Sequence, residues 1–159
     1  MNKKLVKNEK GLTLVELLAV IVILAIVAAI AVPAIGNVIE NSRYKAAKAD
    51  AITVLNAANI YFTEKHFESD GETPVTSVTI KSLHDSGYLE DTGTFSKDDA
   101  TGAVKKVSTG GNTLSATATY SGDVKVKFVE ATIQDITKDE RSAKEFKAKK
   151  PENNKIINE

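Results

Sequence analysis

A single carboxylate, Glu16, stands inside an otherwise aliphatic run near the N-terminus, five residues after Gly11. An acid near the centre of a membrane helix costs roughly 2.5–3.5 kcal/mol on insertion scales, and less near the interface. Some partner must offset that cost, unless the side chain merely reaches back to the headgroups. Elsewhere the chain is poor in chemistry. Its two histidines, His66 and His84, sit in ordinary helical contexts and belong to no catalytic motif. Asp91, Asp98 and Asp99 could offer oxygen ligands to Ca²⁺, but they lack the glycine and acid register of an EF-hand, so solvated loop acids are the preferred reading. There is no cysteine, which excludes disulfides and thiolate metal sites. No catalytic residue, metal or cofactor is expected.

The apolar run must position Glu16. Every residue from Leu17 to Ile35 is apolar, 19 in all, within the ~17–25 needed to cross a bilayer as a helix. Ahead of it lie Lys3, Lys4, Lys7 and Lys10 against Glu9 alone, a bias that keeps the N-terminus cytoplasmic. Three readings compete. A secretory signal could end at Ala29-Ile30-Ala31, but the run is long and holds an acid. A permanent anchor fits the length and leaves Gly11 and Glu16 unexplained. The third is a leader removed at Gly11, before the apolar helix.

The stretch Lys10-Gly11-Leu12-Thr13-Leu14-Val15-Glu16-Leu17-Leu18 resembles the prepilin signature of type IV pilins and pseudopilins. That resemblance implies cleavage after Gly11 by a membrane-embedded prepilin peptidase and methylation of the new amino terminus at Leu12. Leu12 departs from the phenylalanine most common at that place. It further implies that Glu16 of an incoming subunit meets the Leu12 amine of a neighbour. That amine has a reference pKa of about 7.7–8.0, so the two opposite charges reduce each other's burial penalty. Implied partners are an assembly ATPase, a membrane platform protein and copies of the chain itself. Storage in the cytoplasmic membrane precedes export as a surface filament. A pseudopilin of a competence or type II secretion system carries the same signature; a single-span membrane-anchored surface binding protein is the alternative from another class. Many Gram-negative relatives staple the C-terminal region with a disulfide, so the lack of cysteine argues for a Gram-positive type.

The chain divides into a basic leader (1–11), a hydrophobic helix (12–36), an amphipathic continuation (37–67) and a head (68–159). Pro33 and Gly36 punctuate the helix, and proline removes one backbone bond and bends it; the resemblance implies a kink or local unwinding there when subunits pack. Ala51, Val54, Leu55, Ala58 and Phe62 recur at helical spacing and predict one buried stripe. Glu68 to Pro74 reads as a polar loop. Thr79 caps a short helix through Ser86, ended by Gly87, with Tyr88 and Leu89 as core anchors. Asp91 to Gly102 is a polar connection. Strands are expected over 103–108, 113–120 and 124–128, with turns at Gly110-Gly111 and Ser121-Gly122-Asp123. Leu114, Ala116, Ala118 and Tyr120 share one face. The box Thr137-Lys138-Asp139-Glu140 predicts a solvated C-terminal helix to about Lys149, and 153–159 a frayed tail. The fold class is α+β, a long helix packed on a small antiparallel meander. The 21 basic and 21 acidic side chains balance; without the leader's four lysines and one glutamate, 17 face 20. DNA binding is possible but not indicated.

Overall fold

The computed structural model describes residues 13–66, 71, 73–96, 102–122, 124–148 and 155–158. The chain separates into two units, Met1–Gly36 and Asn37–Glu159, each described by itself. Helix α1, Leu14–Glu64, contributes to both and is continuous through Pro33.

In the first unit α1 is aliphatic around its whole circumference, and none of its described side chains is buried. In the second unit the pattern changes to one stripe. Tyr44, Ala47, Ala51, Val54, Leu55, Ala58 and Phe62 are all buried, at the three- and four-residue spacing that aligns side chains on one helical face. The helix was expected to reach about Phe67; it ends at Glu64, and most of the polar loop that follows lies outside the described residues.

The stripe packs on a five-stranded antiparallel sheet of order β1-β2-β3-β4-β5, a pure meander. Its strands are β1 (Ser77–Thr79), β2 (Ala103–Lys105), β3 (Thr113–Ser121), β4 (Val124–Ala131) and β5 (Ile156–Asn158). Leu114, Ala116, Ala118 and Tyr120 of β3 are buried, as their alternation requires. Helix α2, Ile80–Asp85, begins at Thr79, whose side chain accepts from Ser82 N at 3.0 Å. It ends before Gly87, at φ +79°, where a side chain would be strained. Leu89 is buried and Tyr88 half-buried, its hydroxyl donating to Glu64 at 2.5 Å.

The sheet is larger than the three strands expected. β1 places Val78 opposite Val104. β2 stops at Lys105 because the chain turns toward α1. There Asn112 accepts from Val107 N at 3.0 Å and donates to Asn59 at 2.7 Å. β4 outruns Phe128 through a bulge, since pairing steps from Ala116↔Phe128 to Leu114↔Ala131. The extra residue puts Glu130 at φ +47° with its N–H on the Ser115 hydroxyl, and returns Ala131 to the core.

The C-terminal region departs most from expectation. The helix expected from Thr137 to Lys149 is two: α3, Ile133–Lys138, and α4, Ala143–Ala148. Each has its own box, Thr132 with Asp135 and Ser142 with Glu145. Asp139 is extended between them because its side chain is recruited by α1. It accepts from the Tyr44 hydroxyl and from Arg141 at 2.7 and 3.2 Å, while Lys48 donates to its backbone carbonyl. Nor is α4 merely solvated. Phe146 is fully buried and stacks on Tyr44 at 4.7 Å. The expected tail contains β5, whose Ile156 is buried against β4.

Two outcomes follow from these contacts. Gly93 adopts φ +59° beside Asp50, whose carboxylate accepts from Thr94 N at 2.8 Å. Gly93→Ala should therefore cost about 1–3 kcal/mol, read as a lowered unfolding midpoint in detergent. Burial pushes the Asp139 carboxyl up, but hydrogen bonds from Arg141 and Tyr44 prevail and hold it below its ordinary value. A depressed folded pKa contributes stability above the unfolded pKa of about 3.9, and this is lost as pH falls through the folded value. Acidification below about pH 4 should thus weaken the wild type more than Asp139→Asn. At neutral pH that variant should lose about 3 kcal/mol, because Arg141 keeps a largely buried charge. Urea unfolding at several pH values measures both.

Candidate functional site

Glu16 falls in the first turn of α1, where the peptide dipoles present unsatisfied N–H groups and favour negative charge. Thr13, immediately before the helix, supplies its partners. The Thr13 N–H donates to Glu16 Oε2 at 2.8 Å and the Thr13 hydroxyl donates to the same oxygen at 2.7 Å. In return Glu16 N–H donates to Thr13 Oγ1 at 3.3 Å. This is a reciprocal capping box, built by Thr13-Leu14-Val15-Glu16. The acid is exposed yet carries two donors from its own chain, which lowers its cost in a medium without water.

Of the residues singled out from sequence, Gly11 and Leu12 lie outside the described residues. Pro33 and Gly36 both lie within α1, one turn apart, and nothing described stands within 4 Å of where a Gly36 side chain would begin. The helix is not broken at either. Asp91 accepts from Gly93 N at 3.3 Å, whereas Asp98 and Asp99 lie outside the described residues. His66 is exposed, and His84 contacts neighbouring Asp85 at 3.4 Å. Among the described residues no three His, Asp or Glu side chains gather as metal ligands. Thr13 is the functional residue missed. Its signal was present, because a threonine three residues before a glutamate at the head of an apolar run is the capping-box signature.

Behind Glu16 the first unit presents Leu14 to Ile35 with no cover. Leu17, Leu18, Val20 and Ile30, on different sides of the helix, are 57, 55, 47 and 70 % exposed. Aliphatic side chains gain roughly 1.5–3 kcal/mol each when removed from water, and an apolar band this long far exceeds the patches that soluble surfaces tolerate. α1 is long and apolar enough to cross a membrane.

Residues 6–32 match the family model of the prokaryotic N-terminal methylation motif. That match spans about a sixth of the chain and encloses Gly11, Leu12, the Thr13–Glu16 box and most of the bare helix. The chain thus carries a prokaryotic N-terminal methylation motif, a segment that supports a type IV pilin/pseudopilin-type family. No significant match to the chain was found among curated proteins or among solved structures.

Removing the Thr13 hydroxyl should loosen the box. Thr13→Ala is expected to cost about 0.5–2 kcal/mol at the helix start, with faster amide exchange at residues 14–17 in micelles. Thr13→Ser should keep the wild-type rate; equal exchange in all three would refute the box.

Proposed function

We propose that the chain is a structural subunit of a type IV pilus-like surface filament, matured by cleavage between Gly11 and Leu12 and methylation of the Leu12 amine. One observation carries the reading. A helix aliphatic on every side and bare of cover begins with a held acid, and that acid and most of the bare stretch lie within the methylation-motif match.

In this reading the subunit waits in the cytoplasmic membrane as a single-pass protein, with its lysine-rich leader inside. A prepilin peptidase removes the leader and creates a cationic amine at Leu12. Until assembly, Thr13 satisfies Glu16 from within the same chain. On joining the filament, Glu16 turns to the Leu12 amine of a neighbour, a charged donor in a low-dielectric setting and so a stronger partner than a neutral hydroxyl. Bare helices then cover one another instead of lipid. The missing N–H of Pro33 frees the carbonyl one turn earlier, and with Gly36 it gives the helix a place to bend or unwind as copies pack. A membrane platform and a cytoplasmic ATPase drive extraction. The cysteine-free head fits a Gram-positive type. The work is mechanical and calls for no cofactor.

Mass spectrometry of sheared surface material should find a chain starting at Leu12 and methylated there. An intact Met1 start, or a start after Ala31, would sink the proposal. Glu16→Ala should be cleaved normally yet yield about tenfold fewer filaments or less, the factor that a pair worth about 1.4 kcal/mol carries.

A further inference from the structure

The second unit holds a cleft of about 190 Å³ beside the first turns of its helix. Asn41, Tyr44 and Lys45 line it from α1, and Glu140, Arg141 and Glu145 from the C-terminal region. The charges in this lining are of both signs and unequally engaged. Arg141 is held by Asp139 at 2.7 Å, whereas Lys45 and Glu140 are exposed and have no ion pair among the described residues. The Asn41 side-chain oxygen accepts from Ala143 N at 2.8 Å, which leaves the amide nitrogen as a donor. Glu145 caps α4 by accepting from Ser142 N at 2.8 Å and brings a second carboxylate to the cleft. The same face of α1 turns apolar just ahead of it. Val38 stands three residues before Asn41 and seven before Lys45, the spacing of one helical row, and is 64 % exposed.

We infer that the cleft binds the head group of a membrane phospholipid that carries both a phosphate and an ammonium. The inference rests on the part of the proposed function that stores the subunit in the cytoplasmic membrane. The phosphate accepts from Lys45 and Asn41, and the ammonium donates to Glu140 beside the Glu145 charge. The lining selects this class. A simple anion would meet Lys45 but be repelled by two glutamates, and a simple cation would leave Lys45 unanswered. A molecule with both charges a few bonds apart satisfies the two sets together. Exposed Val38 adds a further requirement, an apolar chain joined to the charged part, which a soluble zwitterion lacks. Size agrees, because 190 Å³ falls below the ~300–1,000 Å³ of pockets that enclose a drug-sized ligand whole. The head group enters, and its chains stay outside along the helix. Extraction into a filament must break this contact, so the lipid helps to hold stored copies until then.

Native mass spectrometry tests this on the full-length chain released from nanodiscs of equal phosphatidylethanolamine, phosphatidylcholine and phosphatidylglycerol. Phosphatidylethanolamine should be retained roughly tenfold over either other lipid, the ratio that a preference of about 1.4 kcal/mol carries. Phosphatidylcholine has both charges but no ammonium hydrogen to donate, and phosphatidylglycerol has no cation. Lys45→Gln and Glu140→Gln, both at exposed positions, should each bring the ratio below about threefold. Lys105→Gln on β2 should leave it unchanged. Equal retention of the three lipids, a preference for phosphatidylglycerol, or the full ratio in both cleft variants overturns the inference. Dimers in place of lipid adducts would assign the cleft to a second copy, and displacement by equimolar soluble glycerophosphoethanolamine would assign it to a soluble ligand; either refutes the lipid. The preference in a chain that forms no filaments supports the cleft and refutes the filament reading. Filaments from a chain without the preference do the opposite.

Discussion

Apolar surface needs cover, and α1 finds it inside its own chain for only one of its halves. From Tyr44 to Phe62 a single stripe is buried by the sheet, and the opposite side is left to small or polar residues such as Ser42, Ala46, Ala49, Thr53 and Asn56. From Leu14 to Ile35 there is neither stripe nor sheet. The same helical geometry therefore yields a folded unit in one half and a surface that only lipid or other helices can cover in the other. Sheet order, turn chemistry and the C-terminal clasp all serve the first half.

Much of this was legible in the residues because it depends on local period and on turn chemistry. The stripe from Ala51 to Phe62, the alternation of β3, the Thr79 cap and the left-handed Gly87 each involve a few neighbouring residues, and each recurs in the structure as read. What escaped was decided at long range. Asp139 looks like part of a capping box until Tyr44, 95 positions away, takes its carboxylate. Ile156 looks like tail until β4 offers it an edge. The bulge at Glu130 hides the last turn of a strand, because two successive residues face outward and break the period. At the candidate site Glu16 was legible as an anomaly, whereas Thr13 was overlooked because a lone hydroxyl beside an apolar run looks like ordinary helix onset.

The C-terminal cluster shows how a polar group is made tolerable in a small core. Tyr44, Asp139 and Arg141 contribute hydroxyl, carboxylate and guanidinium; Lys48 adds an ammonium 4.0 Å from the carboxylate. Burial raises the pKa of the Tyr44 hydroxyl, reinforced by its bond to Asp139, so it remains a donor. Arg141 also lies over the Phe146 ring at 5.1 Å and donates to the Ile156 carbonyl at 3.1 Å. One guanidinium thus ties α1, α4 and β5 together. Removing any member would strand the others, which makes the cluster a fastening rather than a source of net stability.

The placement of β5 has a consequence for the order in which the protein is made. β2, β3 and β4 follow one another and can pair as they emerge, but β5 comes after them to pair with β4, and Asp139 and Ala143 close against Tyr44 and Asn41 of α1, synthesised some hundred positions earlier. By then the apolar half of α1 has long left the ribosome and needs its surroundings at once. Synthesis therefore proceeds with one end of the helix already committed to its environment while the other still holds an open core. A chain arrested before residue 156 would expose β4 as an unpaired edge, so during biogenesis the last strand acts as a seal.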